Sequence, residues 1–165
     1  MYRMNPKQEL EMIARGNHEE IMAYIVEHVL REDEGQKALV QRGNHEEIMT
    51  YISMIGFGEK AEKALIKRGN HEEIMSYISR NCFFYHKNQV AFVKRGNHEE
   101  IMEYISVSFF RIDDEGALSL IKRGNHEEIM AYVSKYLLST EAENALMKRG
   151  NSEEIEAYNL QKQCW

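Results

Sequence analysis

One string of residues recurs six times along the chain and sets its architecture. The string RGNHEEIMxYI begins at Arg15, Arg42, Arg68, Arg95 and Arg123, with Val as its last residue in the fifth copy, and a degenerate sixth copy, RGNSEEIEAYN, begins at Arg149. Successive copies start 26 to 28 residues apart. A period of this length suits two short helices and two turns, and it indicates units that bury their apolar faces on their neighbours.

The motif has the residues expected where one helix ends and the next begins. A Gly after the Arg suits a helix C-terminus with positive φ, and the Asn that follows is a good N-cap. Three residues further, a Glu such as Glu73 is placed to complete a capping box. The positions predicted to form these turns are Gly16, Asn17, Gly43, Asn44, Gly69, Asn70, Gly96, Asn97, Gly124 and Asn125.

The apolar residues after each turn have helical spacing, as in Ile74, Tyr77 and Ile78. The sequence therefore predicts an all-α superhelix, or solenoid, of six two-helix repeats in a single domain over residues 1–165. The expected repeats are approximately 5–30, 31–56, 57–84, 85–111, 112–138 and 139–165. In the sixth copy Glu156 and Asn159 replace the motif Met and Ile, which predicts a polar face on the last repeat of a complete stack.

The two-helix unit resembles the short α-solenoid repeats of the HEAT-like group, and the string RGNHEEIMxYI is similar to that of uncharacterised bacterial tandem-repeat proteins. This resemblance covers nearly the whole chain. It implies a superhelix and brings no known activity with it. The chain departs from longer HEAT units by lacking their common Pro and Asp positions.

Part of the motif, RGNHE, also resembles a segment of the calcineurin-like Ser/Thr phosphoprotein phosphatases. That resemblance would make Asn17, His18 and their equivalents ligands of a two-metal centre. The GDxHG and GDxxDRG strings that such enzymes also need are absent from the sequence. Five copies at a helix-packing period indicate a structural role, so we expect no catalytic site, no metal and no cofactor.

The motif histidines are His18, His45, His71, His98 and His126. Helices of adjacent repeats pack about 10 Å apart, too far for neighbouring histidines to share one ion. We expect each ring to pack against the next repeat or to bond to a backbone carbonyl.

The Lys-Arg pairs that end the A helices, such as Lys67-Arg68, could align into a basic ridge. The other interpretation is that these cations offset the helix dipole and pair with the motif glutamates. The formal net charge of −6 disfavours nucleic-acid binding.

Specificity is expected where the copies differ. The predicted partner-binding residues are Met54, Arg80, Glu103, Val107 and Lys135 on the B helices, together with Phe84 and Tyr85 in an aromatic turn. A solvated helix face and a turn folded under the protein are the alternatives. Phe83 and Phe110 are expected in the core, aligned with Leu30, Phe57 and Leu138.

These patterns favour a non-enzymatic, monomeric scaffold that binds a protein or peptide, with a structural or self-assembling module as the alternative. The N-terminus has no signal-peptide core, and no apolar run approaches the roughly 18 residues of a membrane span. Cys82 and Cys164 do not make a disulfide framework. We therefore expect a cytoplasmic protein with no membrane partner.

Overall fold

The computed structural model describes residues 3–30, 32–80, 84–107 and 111–164, and these residues form twelve α-helices and no strand. In chain order the helices are α1 (Pro6–Arg15), α2 (His18–Glu27), α3 (Asp33–Arg42), α4 (His45–Met54), α5 (Glu59–Arg68), α6 (His71–Ser79), α7 (His86–Arg95), α8 (His98–Val107), α9 (Asp114–Arg123), α10 (His126–Val133), α11 (Thr140–Arg149) and α12 (Ser152–Gln163). Every A helix ends at a motif Arg, and every B helix begins two residues after the motif Gly. The all-α fold class predicted from the repeat is confirmed.

The chain divides into two compact units, Met1–Asn88 and Gln89–Trp165. In the first unit α1, α3 and α5 pack side by side in one layer, and α2, α4 and α6 pack side by side in the other. In the second unit α9 packs on α11, and α10 packs on both α8 and α12. Like helices of consecutive repeats therefore lie together, as a helical-repeat superhelix requires. The continuity of one domain across both units stays a prediction.

The motif supplies the core of each B helix. Its two branched aliphatic residues and its Tyr are buried in the first five copies, as the helical spacing predicted. In the first unit the tyrosines join a stack of aromatic rings that crosses repeats: ring centroids lie 5.3 Å apart for Tyr51 and Phe57, 5.8 Å for Phe57 and Tyr77, and 5.6 Å for Tyr77 and Phe84.

One buried residue precedes each A helix after the first. This position is held by Leu30, Phe57, Phe84, Ile112 and Leu138, all of which are buried. The sequence alignment assigned Phe83 and Phe110 to it, and both lie outside the described residues. Phe84 and Ile112 take the position because, like Phe57, they stand eleven residues before the Arg of the following copy.

Most of the predicted turns form as expected. Gly43, Gly69, Gly96 and Gly124 have φ between 71° and 83°. Gly16 is the exception, with φ −64° and ψ 152°, so the left-handed conformation expected there is wrong. The turn at Gly16 is extended, and Glu20 folds back on the backbone N–H of Asn17.

The last repeat carries the polar face predicted for it, since Glu156 and Asn159 are exposed. Within the described residues, no helix combines the length and the apolar composition needed to cross a membrane.

Candidate functional site

The motif Asn caps each B helix. Its side-chain oxygen accepts a hydrogen bond from the N–H of the second motif Glu at all six turns, over 2.9 to 3.2 Å. The predicted N-caps are therefore confirmed. The predicted capping box forms at Glu20, which accepts from the Asn17 N–H over 3.3 Å. In later repeats the carboxylate of this Glu turns to other partners, so the capping box predicted for Glu73 is wrong.

The motif histidine reaches forward to the next repeat. Its Nδ1 lies 3.0 to 3.1 Å from Oε1 of the second motif Glu there, and its Nε2 lies 3.1 to 3.3 Å from Oε2 of the first. The histidines and their glutamates are His18 with Glu46 and Glu47, His45 with Glu72 and Glu73, His98 with Glu127 and Glu128, and His126 with Glu153 and Glu154. The ring therefore bridges two carboxylates of the following repeat.

The motif Arg approaches the same buried Glu from its own repeat. Arg68 Nε lies 2.9 Å from Glu73 Oε2, and Arg149 Nε lies 2.8 Å from Glu154 Oε2. Arg42 Nε lies 3.2 Å from Glu47 Oε2, and Arg123 approaches Glu128 through Nη2, 3.2 Å from Oε1. We call each set of one His with the Arg and two Glu of the next repeat a junction cluster; two are described in each unit.

The motif Arg also reaches backward to the preceding repeat. Nη2 of Arg68 donates to the carbonyl oxygen of Gly43 over 2.9 Å, and that of Arg123 donates to Gly96 over 2.6 Å. The second motif Glu of each described junction cluster is fully buried. A buried carboxylate destabilises a fold unless it is paired and hydrogen-bonded, so the Arg and the His are what allow it there.

This arrangement refines the expectation for the histidines. They do pack against the next repeat, but their bonding partners are two carboxylates and not a backbone carbonyl. The sixth copy carried a signal for this: the residue that would reach forward is Ser152, while Glu153 and Glu154, which receive His126, are kept.

A second polar contact, which the sequence analysis missed, joins the A and B helices within a repeat. In the first, third and sixth repeats the motif Tyr hydroxyl donates to a Glu that lies six positions before the motif Arg. Tyr24 donates to Glu9 over 2.7 Å, and Tyr77 donates to Glu62 over 3.1 Å. In the fifth repeat that position holds an Ala, and Tyr132 donates to a backbone carbonyl instead.

Glu62, one of these carboxyl groups, has a raised pKa. It is fully buried, and burial raises its pKa to about 7. Its Oε1 accepts from the Tyr85 N–H over 2.8 Å and from Asn88 Nδ2 over 2.7 Å. These bonds and the one from Tyr77 act in the opposite direction on the pKa, but they are outweighed by desolvation. Glu62 thereby ties its own repeat to the turn that follows.

Asn17 and His18, which the phosphatase resemblance would make metal ligands, bond to other groups. Across the part of the chain that the structure describes, no group of three or more His, Cys, Asp or Glu side chains is arranged to hold a metal. Asn17 caps a helix and His18 bonds to Glu46 and Glu47, so the two are not placed as the phosphatase resemblance implied. A groove of about 470 Å³ between α3 and α5 is lined by Val40, Gln41, Ala64, Lys67 and Arg68.

Comparisons with protein-family models, with characterised proteins and with solved structures find no match to this chain. The resemblance to HEAT-like repeats stays a prediction.

The predicted partner-binding residues are divided between the two units. In the first unit Met54 and Arg80 are exposed. In the second unit Lys135 is exposed while Glu103 and Val107 are half-buried. Lys135 donates to the carbonyl oxygens of Ile105 and Ser106 over 2.8 and 3.2 Å, so its ammonium group binds the C-terminal end of α8.

Phe84 and Tyr85 are adjacent but differ in exposure. Phe84 is 2% exposed and stacks on Tyr77, so the interpretation of Phe84 as an exposed anchor is wrong. Its burial follows from its place eleven residues before the next motif Arg. Tyr85 is 48% exposed and remains a candidate contact.

Further exposed apolar residues lie beside Met54. Val26 lies in the last turn of α2 and Val29 just after it, and Met54 and Ile55 stand at the end of α4; all four are between 37% and 57% exposed. Because α2 packs on α4, these residues lie at one edge of the B-helix layer. We call this set the apolar edge. Sequence patterning missed it because Val26, Val29 and Ile55 fall outside the helix face that was compared between copies.

The two cations of each Lys-Arg pair lie in different surroundings. The arginines are held in the junction clusters, as described for Arg68, Arg123 and Arg149. The neighbouring lysines of the four pairs, Lys67, Lys94, Lys122 and Lys148, are exposed, and no hydrogen bond or ion pair joins them to the described residues. In three of the four pairs the Arg is therefore engaged in repeat stacking while its neighbouring Lys is exposed.

Proposed function

We propose that this protein is a non-enzymatic scaffold that binds a protein or peptide through its B-helix layer. The supporting observation is the division of labour within each repeat. The motif residues are engaged in caps and junction clusters, whereas in the first unit the variable positions Met54 and Arg80 are exposed. A surface that varies on a constant framework is the arrangement expected of a repeat protein that recognises a partner.

The apolar edge is the part of this layer we assign to partner contact. Large apolar side chains exposed together on a soluble protein often mark an interaction site. A partner helix or extended peptide with aliphatic or aromatic side chains would bury them, while Arg80 and Tyr85 would supply polar contacts around them. We therefore propose that Met54 and Ile55 are central to binding.

The test places a photo-crosslinking amino acid at Met54 and, in a matched control, at Lys63, an exposed residue on the A-helix layer. We expect specific adducts from Met54 and none from Lys63. With the crosslinking residue kept at position 54, the double substitution Val26→Glu, Ile55→Glu should abolish those adducts without changing the urea midpoint, because both residues are exposed. Equal adducts from both positions would contradict the assignment to the B-helix layer.

A structural or self-assembling module is the second candidate. Leu160 on α12 is 58% exposed and lines a groove of about 520 Å³ with Ile155. Self-assembly through this face predicts a light-scattering mass that rises with concentration and falls back in Leu160→Glu. A constant monomer mass would leave the scaffold as the supported function.

Nucleic-acid binding is less well supported, because the motif arginines are committed to buried glutamates. We further propose the cytoplasm as the compartment, a proposal that the exposed free thiol of Cys164 supports. A short HEAT-like repeat is the family we propose, on the strength of the two-layer helix pairs.

A further inference from the structure

We propose that a basic recess between α3 and α5 binds a small ligand that carries two or more linked phosphate groups. The recess has a volume of about 350 Å³, and the described residues that line it are Lys37, Gln41, Lys60, Lys63, Ala64 and Lys67. It adjoins the groove of about 470 Å³ between the same helices and shares three lining residues with it. Because the recess lies on the A-helix layer, binding there does not depend on the proposed function of the B-helix layer.

Two of the four lysines already converge on one anion of the protein. Lys60 Nζ lies 2.5 Å from Glu34 Oε1, and Lys37 Nζ lies 3.3 Å from Glu34 Oε2. Hydrogen bonds from Lys60 and Lys37 lower the pKa of Glu34. Lys37 belongs to the second repeat and Lys60 to the third. Ammonium groups of two adjacent repeats therefore bind the same oxyanion, as the recognition of a phosphate across the recess requires.

The other two lysines have no anion of their own. Lys63 and Lys67 are exposed, and no hydrogen bond or ion pair joins either of them to another described residue. They stand four residues apart on α5, where like charges repel each other and destabilise a helix. The four lysines and Glu34 together leave three positive charges at the recess, on a chain whose net charge is −6. An anionic ligand would relieve this repulsion.

The repeat motif does not require such a cluster. In the second unit the equivalent groove, between α9 and α11, has a volume of about 320 Å³ and is lined by Ile121, Lys122, Ala145, Lys148 and Arg149. Counted back from the motif Arg, the first three lysines of the recess correspond there to Leu118, Glu141 and Asn144. On α1, the other neighbour of α3, the positions of Lys63 and Lys67 hold Leu10 and Ala14. The positive charge is thus concentrated at two helices, which pack about 8–10 Å apart and so offer room for a small ligand.

Linked phosphates match the recess in charge and in size. A terminal phosphate carries roughly 1.5 to 2 negative charges at neutral pH, so a single one leaves part of the positive charge unbalanced and linked phosphates balance it. Ammonium groups donate charge-assisted hydrogen bonds to phosphate oxygens, and these are stronger than bonds between neutral groups. Pockets for small molecules have volumes of roughly 300–1,000 Å³, a range that includes the recess.

The direct test is an NMR titration of the wild-type chain with sodium tripolyphosphate. We expect the amide shifts of α3 and α5 around Gln41 and Ala64 to change, with a Kd of about 1 mM or lower, and orthophosphate to bind more weakly. No shift change, or changes spread evenly over all exposed lysines, would overturn the site. Adenosine triphosphate separates two sources of the same chemistry. Equal affinity supports recognition of the phosphate chain alone, and tighter binding supports recognition of a nucleotide.

Two matched double variants locate the binding. Lys63→Gln, Lys67→Gln removes two ammonium groups from the recess, and Lys122→Gln, Lys148→Gln removes two from the equivalent groove with the same change in net charge. The first should weaken tripolyphosphate binding by about tenfold or more, as the loss of a charged hydrogen bond does. The second should weaken it by less than about twofold, because distant exposed charges are screened. Equal weakening would refute the proposal. All four lysines are exposed, so the urea midpoints of both variants should equal that of the wild type.

Glu34→Gln supplies a change in the opposite direction. The substitution releases Lys37 and Lys60 from their carboxylate, so both ammonium groups become available to the ligand. Tripolyphosphate should therefore bind more tightly to this variant than to the wild type. Weaker binding would contradict the recess as the site.

Discussion

Arg149 donates through Nη2 to the carbonyl oxygen of Gly124 over 2.8 Å, although the two residues belong to consecutive repeats. Gly124 has φ +83°, and a Cβ added to it would lie 2.6 Å from Arg149 Nη1. The glycine therefore serves two purposes: it permits the left-handed turn, and it leaves room for the arginine of the next repeat.

Substitution of two glycines separates these purposes. Gly150 has φ +74° and nothing within 4 Å of an added Cβ. Gly150→Ala should therefore lower the free energy of unfolding only by the backbone strain of a left-handed Ala, about 1 kcal/mol. Gly124→Ala should cost about 1 kcal/mol more, because the alanine also displaces a charged hydrogen bond. Urea unfolding followed by circular dichroism measures both free energies. Equal losses would show that the Arg149 side chain can move away from the added methyl group without lowering stability.

The pair of Arg68 and its neighbour Lys67 tests the junction clusters. Arg68 pairs with the fully buried Glu73, whereas Lys67 is exposed and has no bonded partner among the described residues. Arg68→Met leaves the buried carboxylate of Glu73 without its paired guanidinium and should destabilise the fold by about 2 kcal/mol or more. Lys67→Met should change stability by less than about 0.5 kcal/mol. A similar effect of both substitutions would show that the buried pair adds no stability.

Sequence reasoning was sufficient for the helices and most of the turns because their determinants are local. The capping Asn and the left-handed Gly act within four residues, and the stripe of Ile74, Tyr77 and Ile78 is read from one helix. The conformation of Gly16 was not predicted by this local reasoning. Its residue type permits left-handed backbone but does not require it, and in the first repeat Glu20 is available to cap Asn17.

The junction clusters could not be predicted from one repeat, because they depend on the register between repeats. On a single helix His45 and Glu46 point in different directions, and nothing in that helix shows that His45 meets Glu72 and Glu73. The burial of Phe84 was missed for a related reason. The turn before Phe84 is one residue longer than the earlier turns. Counting forward from the preceding motif therefore assigned the buried position to Phe83 and not to Phe84.

Phe84 and Tyr85 offer a test of that correction. Phe84 is buried against Tyr77, so Phe84→Ala should lower the free energy of unfolding by about 3 kcal/mol through lost packing and a cavity. Tyr85→Ala removes an exposed ring and should cost less than about 0.5 kcal/mol, although it should weaken partner capture if the proposed binding layer is correct. Thermal unfolding of both variants gives the comparison, and a stable Phe84→Ala would contradict the burial.

Glu62 makes a prediction about pH whose sign follows from its burial. Desolvation raises its pKa from 4.5 to about 7 in the fold, so the folded state binds this proton more tightly than the unfolded chain does. The resulting stability is present at low pH and is lost as pH rises from about 4.5 through 7. Relative to Glu62→Gln, the wild type should therefore lose up to about 3 kcal/mol between about pH 5 and pH 8. Histidine titration is common to both proteins and cancels in the difference.

Glu143, at the same position of the sixth repeat, supplies the control with the opposite sign. Its hydrogen bond from Lys162 lowers its pKa, so its contribution is present at neutral pH and is lost as pH falls through the folded value. Relative to Glu143→Gln, the free energy of unfolding of the wild type should fall as pH falls. Relative to Glu62→Gln, it should fall as pH rises. Urea midpoints across the pH series distinguish the two directions. If both differences changed in the same direction, burial would not be what sets the protonation of Glu62.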